Sequence, residues 1–283
     1  LEALGIKLKI LTGDNEKITR KICEEVGLPV ESVLNANEVD KLNDEALTKT
    51  VEGVTIFTRL SPLQKERVIA ALRRGNHIVG FLGDGINDAP ALKAADTGIS
   101  VDNAADIAKE TADIILLEKS LRVLKDGVIE GRKTFHNSLK YILMGLSSYF
   151  GNMFSMMGAS VMLPFLPMLP TQVLLNNFIY DCSQLSLPSD DVDAEDVRRP
   201  TKWNFAFIRR YMLTFGLISS VFDFATFYLL YRVFALAGPA FQTGWFIESI
   251  ATQVFVIYII RTKKVPFIKS APSKLLVFNT LLA

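Results

Sequence analysis

Two aspartates stand four residues apart in GDGIND, residues 83–88, directly behind an apolar run. Like charges so placed repel unless a cation sits between them. An aspartate at the end of a strand, followed by glycines that let backbone approach closely, suits a hydrated Mg²⁺ shared with a phosphate. Asp84 and Asp88 are therefore candidate metal ligands. Thr12 and Asp14, in TGDN, add a hydroxyl and backbone N–H groups ahead of a helix, a set suited to phosphate. Lys65 lies one turn into the helix that RLSPLQK opens, where its ammonium can reach the same region. Taken singly, each has a plainer reading: a Gly-Asp turn, a helix cap, a solvated lysine. Three such clusters on neighbouring strand ends read as a phosphate site.

A second kind of chemistry sits in the apolar half. PTQVLLNNFIYDCSQLSLP stacks Asn177 and Asp181 on one helix face. Asn152 lies mid-run in the preceding apolar segment, LSSYFGNMFSM. An aspartate at the centre of a membrane helix costs roughly 2.5–3.5 kcal/mol, so Asp181 reads as functional. Asparagine alone is also common as packing glue between helices, a reading that stays open for Asn152. Two helices carrying these three residues can present them to one ion. Asp223, mid-run in SSVFDFATF, either pairs with a neighbouring helix or tunes an ion path, while Glu248 reads as interfacial. Trp203 and Trp245 fall near predicted membrane boundaries. His77, His136 and Cys182 read as structural, and Gly151 as a point of close helix approach.

These residues need elements to hold them. Short β-rich runs at 7–12, 54–59, 77–83, 97–101 and 113–118 alternate with helical patterns at 16–27, 61–75 and 103–112. Such alternation predicts a parallel, doubly wound sheet with its site off the carboxyl ends of the strands. TGDN follows the first strand, Arg59 ends the second, and GDGIND follows the third. Ser61 is the expected N-cap of its helix, with Pro62 at the first helical position and Gly75 past the end. Residues 36–51 read as one solvated helix. An amphipathic helix over 120–137 is expected to continue into the membrane. Spans are expected at 139–163, 170–188, 205–235 or its central part, and 243–260, with a truncated fifth from 275. The basic clusters at 190–210 and 261–274 place those loops on the same side as the soluble half.

The 283 residues carry a formal charge of +1, and the mean hydropathy is +0.27. Near-neutral charge argues against a nucleic-acid partner. Cys23 and Cys182 lie on opposite sides of the soluble–apolar divide and make no disulfide framework, which suits a reducing cytoplasm. The chain starts at Leu1 and stops within an apolar run, so an internal piece of a longer protein is expected.

TGDN, RLSPLQK and GDGINDAP together resemble the phosphorylation domain of P-type cation-transporting ATPases, a branch of the haloacid-dehalogenase superfamily, and the resemblance extends over the membrane part. It implies an α/β doubly wound sheet of haloacid-dehalogenase type over residues 1–118, a stalk helix over 119–138 and a transmembrane bundle over 139–283. It implies that Asp84, supported by Asp88, holds catalytic Mg²⁺, and that Asn87 contacts the phosphate. Thr12 and Gly13 would hold phosphoryl oxygens, Asp14 and Arg59 would lie near ATP, and Lys65 would neutralise the transferred phosphoryl group. Asn152, Asn177 and Asp181 match the transport-site helices. Where calcium pumps of the family carry a glutamate this chain has Asn152, and a site so poor in charge suits an ion that keeps its water, as Mg²⁺ does. LPFLPMLP, SLPSDDVD, SSVFDFATF, GWFIESIATQ and IRTKKVPFI also resemble the magnesium-transporting subgroup. The implied activity is ATP-driven Mg²⁺ transport through an aspartyl phosphate, in a multi-pass bacterial inner-membrane protein whose residues 1–138 are cytoplasmic. The nucleophile motif Asp-Lys-Thr-Gly-Thr, the actuator motif and a nucleotide-binding domain are absent here and are expected in an N-terminal remainder of the same pump, so this piece alone is expected to be inactive. A calcium or other divalent-cation pump is the alternative within the class. A membrane-anchored phosphatase of the haloacid-dehalogenase type, or a non-catalytic ion-binding protein, is the alternative outside it.

Overall fold

A computed structural model describes residues 1–283, which divide into two compact units, Leu1–Val128 and Ile129–Ala283. In the first unit, strands β1 (Ile10–Leu11), β2 (Val33–Asn35) and β3 (Ile56–Thr58) form a parallel sheet of order β1-β3-β2. Strands β4 (Gly80–Leu82), β5 (Thr97–Val101) and β6 (Ile114–Leu116) form a second, also parallel, in the order β4-β5-β6. The expected parallel strands are thus present, divided between two sheets. The two strands that lead into TGDN and GDGIND, β1 and β4, are each an edge. Parallel neighbours need a crossover: α5 (Ala89–Ala94) joins β4 to β5 and α6 (Asp106–Thr111) joins β5 to β6, while α1 (Glu16–Glu25) follows β1 and α4 (Pro62–Arg74) follows β3.

Helix α4 begins as its sequence dictates. Ser61 Oγ accepts from Gln64 N and the Gln64 side chain accepts from Ser61 N, a reciprocal cap followed by Pro62 in the first turn. The stretch 36–51 is not one solvated helix. It breaks at extended Leu42 into α2 (Ala36–Lys41) and α3 (Asp44–Thr50), capped by Asn35 and Asn43. The break turns Val39, Leu47 and Val51 inward, where they join Phe57, Val68 and Leu72 in the core. Burial of that apolar set outweighs the solvation of the charged face.

The second unit is helical. Helix α7 runs unbroken from Leu121 to Met162, so the amphipathic and apolar patterns belong to one element. Helices α8 (Pro170–Gln184), α9 (Ala194–Arg198), α10 (Phe205–Tyr228), α11 (Pro239–Ile260) and α12 (Lys274–Leu282) follow. Two segments are long and apolar enough to cross a membrane, Phe205–Val233 and Pro239–Ile260. Helices α7 and α10 touch through glycine: a Cβ on Gly151 would lie 3.0 Å from the Gly216 carbonyl oxygen. Ser220 Oγ donates to the Gly151 carbonyl at 3.1 Å across the same contact. In the loop after α8, the fully buried Asp190 side chain meets Arg261 Nε at 2.9 Å and Lys140 Nζ at 3.3 Å. It also accepts from Ser273 N at 3.1 Å, at the start of α12. This buried ion cluster ties three helices to one loop.

Candidate phosphate and cation sites

At the first site, the ends of β1 and β3 are sewn together by backbone. Arg59 N donates to Asp14 O and Leu60 N to Thr12 O, each at 3.0 Å. Thr12 Oγ1 accepts from Asp14 N at 3.0 Å, closing a local turn, and the helix that follows is capped by Asn15, whose side chain accepts from Ile18 N. Arg59 is held at φ 55°, a left-handed conformation unusual for a residue with a Cβ. Thr12, Gly13, Asp14 and Arg59 therefore form one cluster.

The second cluster belongs to β4. Gly83 must be glycine, since a Cβ there would meet Asp88 Cβ at 2.7 Å. That close packing folds the loop so that Asp88 Oδ2 accepts from Gly85 N at 3.1 Å. Asp88 Oδ1 receives Lys65 Nζ at 2.7 Å, with both side chains about seven-eighths buried at 13% and 14% exposure. Lys65 is thus no solvated surface lysine; it reaches from α4 into the GDGIND loop. Asp84 pairs with Lys119 Nζ at 2.5 Å, and both remain largely exposed. The Lys119 ammonium, hydrogen-bonded to it, holds the Asp84 carboxyl below the usual aspartate range. Asn87 is exposed on the same loop. No group of three or more His, Cys, Asp and Glu side chains is placed to hold a metal. Two carboxylates, each already answered by an ammonium, fit an ion that takes one or two carboxylates and completes its shell with water and phosphate, which is the habit of Mg²⁺. Lys119 carried no sequence signal.

In the bundle, Asn152 of α7 and Asn177 of α8 line one cavity of about 310 Å³, together with Tyr149, Asn176, Trp245 and Ser249. Asp181 does not line it. Its exposed carboxylate accepts from Tyr149 OH at 2.5 Å, and it is Tyr149 that reaches the cavity. Two further expectations are corrected. Trp245 is no interfacial aromatic but is 1% exposed, with its Nε1 donating to Asp223 Oδ1 at 2.9 Å. Glu248 is no interfacial acid either; its Oε2 is buried with no hydrogen-bond partner. Asp223 is buried, with Ser155 Oγ donating to its Oδ2 at 2.6 Å, so it pairs with neighbouring helices. Trp203 is 45% exposed and packs on Phe135. His77 pairs with Glu52, and His136 contacts Thr201.

A parallel α/β unit with acids and a lysine at its strand ends, continued in one chain by helices carrying polar groups in apolar runs, is a haloacid-dehalogenase-like fold followed by membrane helices. Family models agree: residues 1–96 and 66–128 match haloacid dehalogenase-like hydrolases, and residues 165–283 match the cation transporting ATPase C-terminus. The chain belongs to the P-type cation-transporting ATPases. It is 52% identical over 286 aligned residues to a magnesium-transporting ATPase, P-type 1, of Escherichia coli K12, covering 100% of this chain and 32% of that relative. A magnesium-transporting ATPase of Salmonella typhimurium LT2 is 53% identical over 94% of this chain and 30% of its own length. A calcium-transporting ATPase of Bacillus subtilis is 32% identical over 71% of this chain and 24% of its own length. The chain thus spans about a third of the length of the curated relatives it matches in full. Among solved structures, the catalytic domain of a CPx-ATPase, CopB-B, aligns with a TM-score of 0.34 at 30% identity over 44% of this chain and 39% of that one.

Proposed function

We propose that this chain is the carboxyl-terminal part of an ATP-driven Mg²⁺ pump of a bacterial inner membrane, with residues 1–138 on the cytoplasmic side. One observation carries the reading: identity to the magnesium-transporting relatives is 52% over the whole chain, against 32% over 71% for the calcium-transporting one. The chemistry is transfer of the γ-phosphoryl of ATP to an aspartate oxygen, with the bond to ADP breaking, followed by attack of water on the acyl phosphate. The nucleophilic aspartate is assigned to the part of the pump outside this chain.

Within that scheme each residue has a physical task. Thr12 and Gly13 hold phosphoryl oxygens with a hydroxyl and a backbone N–H, while Asp14 and Arg59 border the nucleotide. Asn87, exposed on its loop, donates to the phosphate. Asp84 and Asp88 hold the catalytic Mg²⁺, which when bound neutralises charge on the transferring group. Lys65 meets that charge from the opposite side, and its present bond to Asp88 keeps the ammonium aimed into the loop. In the bundle, Asn152, Asn177 and Asp181 serve the transported cation.

Mg²⁺ uptake by the full-length pump in proteoliposomes tests the reading. Asp181→Asn is expected to cut uptake at least tenfold while phosphoenzyme still forms from inorganic phosphate. ATP turnover that rises with Ca²⁺ and ignores Mg²⁺ beyond the nucleotide's need would assign the pump to calcium instead.

A further inference from the structure

The two acids of GDGIND differ in how firmly they are held. Both oxygens of Asp88 are engaged, Oδ1 by Lys65 Nζ and Oδ2 by Gly85 N, in a pair that is mostly buried. Asp84 meets another side chain through Oδ2 alone, where Lys119 Nζ donates at 2.5 Å, and both side chains stand largely in solvent. Its backbone, by contrast, is fixed. Gly83 N donates to Ile99 O at 3.0 Å, the fully buried Ser100 donates its Oγ–H to Gly83 O at 2.9 Å, and Ala105 N donates to Asp84 O at 3.0 Å. Lys119 is also rooted, in the short link between β6 and α7. Ser120 N there donates to Glu118 O at 2.8 Å, and Ser120 Oγ accepts from Arg122 N at 3.2 Å. Two anchored backbones thus present one carboxylate and one ammonium whose side chains alone are free to part.

The surroundings suit an exchange. Asp84, Lys119 and Ser120 line one cleft of about 250 Å³ with Leu82, Val101 and Leu116. Six waters occupy roughly 180 Å³ at about 30 Å³ each, so the cleft admits a largely hydrated ion beside the carboxylate. Mg²⁺ binds in that way, through one or two carboxylates and a phosphate while keeping several waters. A lysine is a fitting tenant for a carboxylate that must later be given up. Its ammonium is a compact, strongly hydrated charge on a flexible stem, without the rigid fork by which arginine grips a carboxylate twice. An ammonium and a divalent ion cannot share one oxygen at close range, so the ion's entry requires the lysine's exit. We propose that Lys119 is a displaceable counter-ion: it holds the Asp84 carboxylate until Mg²⁺ enters with the phosphate, and it thereby sets the free Mg²⁺ concentration at which the catalytic ion loads. This rests on the reading of Asp84 as a ligand of that ion and adds a regulator to the same site.

The experiment uses the full-length pump, with MgCl₂ titrated in the presence of inorganic phosphate. One readout is the half-saturating Mg²⁺ for phosphoenzyme formation. Lys119→Met should lower it about three- to fivefold, the ceiling for an exposed ion pair, and Lys119→Arg, still a cation, should stay at or above the wild-type value. The other readout needs no turnover: reductive methylation of lysines, resolved by residue with mass spectrometry. Wild-type Lys119 should be modified about two- to fivefold faster once Mg²⁺ and phosphate are bound, and in Asp84→Asn it should be modified fast at every Mg²⁺ level. A half-saturation that stays the same or rises in Lys119→Met overturns the proposal, as does a Lys119 modification rate indifferent to Mg²⁺. Asp84→Asn separates the proposal from the reading beneath it. If that variant keeps the wild-type Mg²⁺ requirement, Asp84 is not a ligand and both fail. If it needs more Mg²⁺ while Lys119→Met changes nothing, only the role of Lys119 fails.

Discussion

The two ends of this protein hold their carboxylates by different means. In the α/β unit each acid of GDGIND is met by a full positive charge, Lys119 on Asp84 and Lys65 on Asp88. In the bundle the acids are met by neutral donors: Tyr149 for Asp181, and Ser155 and Trp245 for Asp223. The contrast follows from the solvent. For Asp84 and Lys119, both largely exposed, the ammonium can leave when a metal arrives, because both it and the vacated carboxylate are readily solvated. In an apolar bundle a lysine partner would be trapped, and the pair would be neutral permanently. A phenol, hydroxyl or indole orients a carboxyl without placing an opposite charge beside it. The exception marks the rule. Where the bundle meets its loops, Asp190, Arg261 and Lys140 form a fully charged buried cluster, which suits a fixed joint rather than a binding site.

That exception gives the largest expected effect. Asp190→Ala leaves Arg261, whose side chain is 1% exposed, without its carboxylate. Removing one partner of a buried pair costs about 3–5 kcal/mol, and the melting temperature of the purified full-length pump should fall accordingly. Replacing all three charges, Asp190→Leu with Arg261→Met and Lys140→Met, should recover most of the loss. An Asp190→Ala protein that melts like wild type would show that the charges are solvated, and the contrast between fixed and exchangeable carboxylates would break.

Lys65 tests the other side. Lys65→Met removes the ammonium aimed at Asp88 while keeping the stem of the side chain. Loss of a preorganised charge facing developing negative charge is expected to slow phosphoenzyme formation from ATP by about 10²–10³-fold in the full-length pump. Phosphoenzyme formed at the wild-type rate would reduce Lys65–Asp88 to a structural ion pair.

How much of this was visible beforehand depends on whether the cause was local. The Ser61 cap with Pro62 behind it and the close backbone approach at the glycines of GDGIND are set within a few residues, and they stand as read. What depended on tertiary packing was hidden. Val39, Leu47 and Val51 sit among charges, so only their burial shows that 36–51 folds into two core-facing helices. Strand β2 is three residues long and paired to β3, a contact with no sequence period. Trp203 and Trp245 look alike at the ends of apolar runs, yet one is half exposed and the other is buried on Asp223. The adjacent asparagines 176 and 177 are a similar case. Hydropathy treats them alike, and only the packing of α8 against α11 shows that the first bonds to Ser249. Lys119 reaches back 35 residues to Asp84, a contact no spacing rule would suggest.

The smallest effect concerns that pair. Lys119 holds the Asp84 carboxyl below its ordinary range, so the folded state favours the charged form more than the unfolded chain does. Stability from the pair is then fully present above the unfolded aspartate value of about 3.9 and disappears as pH falls through the lower folded value. Between pH 5 and 8 it should not vary. Both side chains are more than half exposed, at 64% and 51%, so solvent screening limits the whole contribution to at most about 1 kcal/mol. Lys119→Met should therefore leave the melting temperature at pH 7 nearly unchanged, lowered by a degree or two, and that difference should shrink below pH 4 and in molar salt. A loss at pH 7 as large as that of Asp190→Ala would mean that Asp84 is held as rigidly as the bundle's buried joint. An exchangeable carboxylate facing water could not then be distinguished from a fixed one, and the physical ground for placing the catalytic ion at Asp84 would go with it.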